Sequence, residues 1–276
     1  MSTKAVHLEI VSTLEIDSIL AALDRFIARR GKPIRIYSDC GTNFVGASKK
    51  LKEFEKSYSF SSSQDNIIDH TARQSIEWSF IPPSTPHFGG IWEAGIKAAK
   101  ALLHKVLGET PHTFEELSTL FSKIEAVLNS RPLVPVRSDP ECIEALTPGH
   151  FLVGRPLTAP PEEDLAEEII SPLQRWRLIR QRSQHFWNRW RKEYLNFLQQ
   201  RKRWNTHQQN LRVGDLAIIK DPNCPQRTWP MARVIAVDPG DDGVVRVVTI
   251  KTSSGIYKRP ACKLVPLLPV NEPKDK

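Results

Sequence analysis

No apolar run in this 276-residue chain approaches the eighteen or so residues that a membrane-spanning helix requires, so no membrane segment is expected. Cysteine is scarce. The four residues Cys40, Cys142, Cys224 and Cys262 lie far apart, with no CxxC and no paired histidine spacing. That gives no support to a zinc site or a disulfide framework, and favours buried or free thiols in a reducing compartment. The start "MSTKAVHLEI" lacks a basic stretch followed by an apolar core, so no signal peptide is expected and the chain reads as intracellular. Acid is in short supply in one place above all. Residues 174–209 hold ten Arg or Lys and a single acid, Glu193.

What is present is ordinary for a globular protein: 40% hydrophobic and 25% charged residues, with a net charge of +8 that fits a polyanionic partner. "KAVHLEIV" reads as a strand and "DSILAALDRFIARRG" as a helix, with Asp17 or Ser18 at its start and Gly31 at its end. "PIRIYSD" is a second strand, "GASKKLKEFEKS" a short amphipathic helix built on Leu51 and Phe54, "SFSSSQDN" a loop, and "IEWSFIPP" a third strand. A long helix follows from "GGIWEAGIKAAKALLHKVLG", then another from "FEELSTLFSKIEAVLNSRPL". Alternating strands and helices predict an α/β layer with some parallel pairing.

Residues 156–172 hold four prolines and the acidic run "EEDLAEE", which reads as a solvated linker. The basic stretch after it carries four of the seven tryptophans. Trp176, Ile179, Trp187, Trp190, Tyr194 and Phe197 fall near one helical face, where aromatics pack rather than stack on bases. The opposite, cationic face suits phosphate. From Arg212 the pattern turns to about five short strands broken by Asp-Pro, Asp-Gly and Ser-Gly turns, as in a small SH3-like barrel. Its expected core includes Leu216, Ile218, Val234, Ile235, Val247 and Ile250, and it is expected to fold by itself. The expected divisions are a domain at 1–155, linker and basic helix at 156–211, the barrel at 212–268 and a tail at 269–276.

Two carboxylates stand out. Asp39 ends an apolar strand just before "CGTNF", and Glu93 lies in the first turn of the long helix, with Lys97, Lys100 and His104 on the same face. Each has a plain reading: a strand surfacing into a polar loop, and a glutamate complementing a helix dipole beside an i+4 lysine. Together they fit a cleft for a divalent cation, because magnesium takes hard oxygen ligands and leaves positions for phosphate oxygens. Gly41 would then permit the turn, and Asn43 orient the loop or the substrate.

"TKAVHLEIVSTLEIDSILAALDRFIARRGKPIRIYSDCGTNFVGA" and "WSFIPPSTPHFGGIWEAGIKAAK", followed in order by "LNSRPL", "ALTPGHFL", "FWNRWRKEYL" and "KRPACKLVPL", resemble an integrase of the BEL/Pao long-terminal-repeat retrotransposons over nearly the whole chain. The resemblance implies an α/β fold: an N-terminally truncated ribonuclease H-like core, a basic helical linker and a small SH3-like β-barrel. It implies an Asp-Asp-Glu triad holding Mg²⁺ or Mn²⁺, with Asp39 as the second carboxylate and Glu93 as the third. Lys97 and Lys100 match positions that meet DNA, and Asn43, Arg189, Arg191 and Lys192 join them as expected nucleic-acid contacts. The first aspartate and the N-terminal zinc-binding residues of the family have no counterpart here, and Cys40 stands where the family has asparagine. Glu9, at the end of a different strand, is a poor substitute. The expectation is a nuclear, DNA-binding, integrase-derived protein with little or no strand-transfer activity alone, its self-association open. A polynucleotidyl transferase completed by missing sequence or a partner, and a chromatin or protein-interaction module, are the alternatives.

Overall fold

The computed structural model describes residues 3–61, 76–80, 100–108, 110–137, 139–199, 210–222 and 224–267, with the side chains of 54–61 excluded. The chain is mixed α/β and divides into two units, Glu9–Ala101 and Met1–Leu8 with Leu102–Lys276. Among the described residues no helix is long and apolar enough to cross a membrane.

In the first unit, helix α1 (Ile16–Arg30) ends at Gly31, which takes φ +87° and returns its N–H to Ile27 O at 2.8 Å. A left-handed backbone at a helix end favours glycine because no Cβ clashes there. The N-cap is Glu15, without a side-chain cap bond, rather than Asp17 or Ser18. Ser18 instead shares a hydroxyl bond with Thr13 at 2.7 Å. Strand β1 (Arg35–Ser38) pairs in parallel with β2 (Glu77–Phe80), and helix α2 (Thr42–Ser61) follows β1. α2 starts earlier than the sequence pattern predicts, immediately after Gly41. The buried Ser38 hydroxyl accepts from Trp78 Nε1 at 2.8 Å, a diagonal tie between the two strands.

The second unit contains the expected strand at Lys4–Val11 only in part, and residues 4–8 form no ladder there. Their backbone is matched by side chains of α3 (Phe114–Asn129) instead. Val6 N donates to Asn129 Oδ1 at 2.8 Å, Asn129 Nδ2 to Val6 O at 2.7 Å, and Leu8 N to Glu125 Oε2 at 2.9 Å. Glu125 and Asn129 are one helical turn apart, so they line up beside an extended chain. β-propensity without an adjacent strand among the described residues thus gives an extended segment and not a sheet.

α3 opens on a reciprocal capping box, Thr113 Oγ accepting from Glu116 N at 3.2 Å and Glu116 Oε2 from Thr113 N at 2.9 Å. Leu120, Ile124, Val127 and Leu128 are its buried face. A short ladder of β3 (Val134–Pro135) and β4 (Ala145–Leu146) and the short helix α4 (Pro148–Val153) follow. α5 (Arg175–Leu198) packs on α3. Then β5 (Leu216–Ile219), β6 (Met231–Pro239), β7 (Val245–Thr252), β8 (Gly255–Pro260) and β9 (Leu264–Pro266) make one antiparallel sheet in the order β8-β7-β6-β5-β9.

This sheet has two buried faces. Ala217, Ala232, Val234, Val248, Ile250 and Leu264 form its own core. Leu216, Ile218, Val265 and Leu267 point the other way, onto Leu195 of α5 and Ala145 of β4. Trp229 completes that contact, edge-on to Trp187, Trp190 and Tyr194 with ring centroids 5.0–5.9 Å apart. Leu216 and Ile218 therefore pack outward from the sheet, Ile235 is half-buried and Val247 is 38% exposed, so the expected single core is redrawn. Strand alternation sends neighbouring apolar residues to opposite faces, and here both faces find cover.

The acidic segment is not a solvated linker. Leu165 is fully buried. Its N–H donates to Gln184 Oε1 and its carbonyl accepts from Gln181 Nε2, both at 2.7 Å, while Gln184 Nε2 donates to Glu163 O at 2.7 Å. Two α5 glutamines a turn apart replace the hydrogen bonds that water would otherwise give this backbone.

Candidate nucleic-acid interface and carboxylate site

Asp39 is exposed, one residue past the end of β1. Its Oδ1 accepts from Gly41 N at 3.1 Å, and the Gly41 carbonyl accepts from Phe44 N and Val45 N at 3.0 Å each, so the turn leads directly into α2. A Cβ on Gly41 would lie 2.8 Å from Asn43 Oδ1 and 3.1 Å from Asp39 Oδ1. A side chain there would oblige the Asn43 and Asp39 side chains to shift, so glycine lets both polar groups close over the turn. Asn43 Oδ1 accepts from Phe44 N at 3.0 Å, so Asn43 orders the loop.

Glu93 and Lys97 lie outside the described residues. Lys100 is exposed at the start of the helical stretch 100–107. Glu9 is engaged by Arg25 Nε at 2.9 Å and Arg29 Nη1 at 2.7 Å, which assigns it to holding α1. Among the described residues no three His, Cys, Asp or Glu side chains cluster as a metal site. Asp39, with its Oδ1 in the turn and its carboxylate exposed, suits a one-oxygen ligand to a hard cation whose other ligands come from elsewhere.

α5 carries seven cationic residues, and the fold occupies most of them. Arg175 Nε donates to Glu116 Oε1 at 2.6 Å, with Nη2 on Glu116 Oε2. That pairing, foremost, and the Thr113 N–H lower the Glu116 pKa to about 2. Arg177 pairs with Glu168 at 2.8 Å and Glu163 at 3.5 Å, and Arg180 with Glu162 at 3.8 Å. Arg182 is buried and donates to Val106 O at 2.6 Å and Thr110 Oγ1 at 3.2 Å. Burial pushes its pKa below the usual arginine value.

Arg191, expected at the nucleic-acid surface, is buried instead. Its guanidinium donates to Asp221 O and lies 5.6 Å from the Trp187 ring centroid. Arg189 and Lys192 are exposed and have no ion-pair partner among the described residues. The stripe of aromatics is likewise divided. Ile179, Trp187 and Trp190 are buried, whereas Trp176 is 61% and Phe197 65% exposed. A helical wheel assigns one face to all of them, but Trp187 and Trp190 are covered by Trp229 whereas Trp176, in the first turn, has Lys123 of α3 near its ring and stays largely in solvent. Sequence reading missed the acidic counter-surface, although the pairing of an acidic run with a cationic helix downstream was a usable signal.

A family model described as a family of unknown function (DUF5641) matches residues 174–267, which spans α5 and the sheet. No curated protein gives a significant match. Among solved structures, a chain of the simian T-cell lymphotropic virus intasome in complex with PP2A regulatory subunit B56 gamma is similar at 13% identity and a TM-score of 0.32. The similarity covers 93% of this chain and 66% of that one, so the chain spans just under two thirds of its length.

Proposed function

We propose that the chain is an integrase-derived, DNA-binding protein of BEL/Pao retrotransposon origin that acts in the nucleus. The observation that carries DNA binding is the pair Arg189 and Lys192, exposed and unpaired among the described residues, on a helix whose other cations are occupied. Solvated cations that make no internal pair are free to displace counterions from a phosphate backbone. The ordered series of matched sequence blocks supports integrase ancestry. So does the parallel β1–β2 pair with Asp39 just beyond its end, as part of a ribonuclease H-like core. In the sheet, β5 pairs with both β6 and β9, the connectivity we take for an SH3-like barrel.

Asp39 and Glu93 are the residues that would hold Mg²⁺ or Mn²⁺, which supplies charge stabilisation in phosphoryl transfer when bound. The chain contributes two of the three carboxylates of the resembled triad, and we propose that alone it binds DNA without joining DNA ends.

Binding to unrelated duplexes, measured across a salt series, tests this reading. Log affinity should fall linearly with log salt and differ little among sequences. Arg189→Ala/Lys192→Ala should flatten the slope by up to about 1.8, at roughly 0.9 for each phosphate no longer neutralised. A salt-independent affinity, or a double variant with the slope unchanged, would overturn it.

A further inference from the structure

An open cleft of about 370 Å³ lies between the middle of α3 and the loop before β6, lined by Ser118, Thr119, Ser122, Lys123 and Arg227. Arg227 is half-buried, and its guanidinium has no hydrogen-bond or ion-pair partner among the described residues. Burial, partly offset by the charge of Glu162, lowers its pKa from the ordinary arginine value. Arginine nonetheless remains charged near neutrality, so a partly desolvated cation faces the cleft without an anion of its own. Its backbone stands at φ +59°, in the left-handed region that a non-glycine residue rarely adopts.

The hydroxyls sort by role. Thr119 donates to Glu115 O and Ser122 to Ser118 O, each at 2.9 Å, so those protons are committed to the helix. The exposed Ser118 hydroxyl has no such bond among the described residues and keeps its proton for a ligand. Lys123 is held by Glu162 at 3.0 Å, with Arg180 on the same carboxylate at 3.8 Å. Lys123, Arg180 and Arg227 against Glu162 leave an excess of two positive charges. Lys123 Nζ also lies 5.8 Å from the ring centroid of Trp176, whose indole is 61% exposed. A large flat aromatic left in water beside a phosphate-seeking cluster is the arrangement that single-stranded nucleic-acid sites use.

We propose that this cleft binds one backbone phosphate of an unpaired nucleic-acid strand through Arg227, Lys123 and the Ser118 hydroxyl, with an adjoining base on Trp176. The inference rests on the nucleic-acid reading above but uses different residues from Arg189 and Lys192. An unpaired strand is the fitting occupant because a duplex hides its base faces, and the exposed indole offers a broad face for stacking.

Fluorescence anisotropy of a labelled twelve-residue oligothymidylate with the full chain, across a salt series, tests it. Arg227→Gln should weaken binding several-fold at low salt and reduce the log–log salt slope by roughly 0.7, the value for one phosphate of a single strand. Arg227→Lys should restore the slope. Trp176→Ala should weaken binding roughly fivefold or more, as expected when a stacked base loses its platform, with the slope unchanged. Ser118→Asp, at an exposed helix position, should abolish the cleft's contribution by setting a carboxylate against its cations while Arg227 itself is retained, which covers the case that Arg227→Gln fails to fold. Circular dichroism confirms folding of each variant. If Arg189→Ala/Lys192→Ala weakens binding while the Arg227 and Ser118 variants match wild type in affinity and slope, the cleft is overturned and the helix reading stands. If the cleft variants lose oligothymidylate binding and Arg189→Ala/Lys192→Ala changes neither oligothymidylate nor duplex binding, the helix reading fails and the cleft stands. Absence of binding to the oligothymidylate overturns the cleft, and absence of binding to the duplexes as well overturns both.

Discussion

Replacing Leu165 by alanine separates a packed acidic segment from a solvated one. Leu165 is fully buried, in the segment that lies on α5. The substitution removes three carbon groups from the interior. At about 0.8 kcal/mol per buried methylene the transfer loss alone is about 2.4 kcal/mol. The backbone around it is pinned by Gln181 and Gln184, so little collapse into the space is possible and a cavity cost adds to the transfer loss. Buried Leu→Ala changes with both contributions fall at about 2.7–5 kcal/mol. A leucine in a solvated linker would change stability by no more than about 0.5 kcal/mol. Urea unfolding followed by far-UV circular dichroism and tryptophan fluorescence reads the difference, with wild type and variant compared at equal m-value. A loss below about 0.5 kcal/mol would refute the packing of the acidic segment. Glu163→Gln, an exposed ion-pair partner, serves as the contrast and should cost under about 1 kcal/mol.

Acid should weaken the α3–α5 contact through Glu116. Its folded pKa of about 2 lies below its ordinary 4.5, so the stability it confers is fully present above pH 4.5 and is lost as pH falls toward 2. Glu116→Gln should flatten the unfolding midpoint against pH across that window, and an unchanged profile would remove the Arg175 pairing as its cause. A fragment spanning 210–268 should show poorly dispersed amide resonances, since cutting α5 away bares Leu216, Ile218, Val265, Leu267 and Trp229. A dispersed spectrum with cooperative unfolding would restore an autonomous sheet. The chain with a processed viral-type DNA end and Mg²⁺ or Mn²⁺ should yield no joined product, whereas joining that Glu93→Gln abolishes would establish a polynucleotidyl transferase.

Local pattern decided much of this protein. The apolar spacing of 16–30 and 114–129, with Gly31 and the Thr113–Glu116 capping box at the ends, specifies α1 and α3 from residues within a turn of each other. The turns after Arg212 likewise mark five strands, because Asp-Gly and Ser-Gly pairs restrict backbone geometry locally. Asp39 at a strand end, and Gly41 beneath it, were legible for the same reason.

What tertiary structure decided was the use of charge and of faces. Arg191 and Arg189 are two residues apart on one cationic helix, yet one is buried on Asp221 O and Trp187 and the other faces solvent. Helical periodicity already sets them on opposite faces, Arg191 one turn beyond buried Trp187, and the loop before β6 supplies the carbonyl that Arg191 meets there. Glu162, Glu163 and Glu168 read as solvated until α5 is placed beneath them with Arg177, Arg180, Gln181 and Gln184 to receive them. The segment at Lys4–Leu8 has the composition of a strand, but a ladder needs a neighbour, and Asn129 and Glu125 supply the hydrogen bonds instead. Propensity and periodicity act within a few residues, whereas pairing, burial and neutralisation depend on segments tens of residues distant, which sequence spacing alone does not bring together.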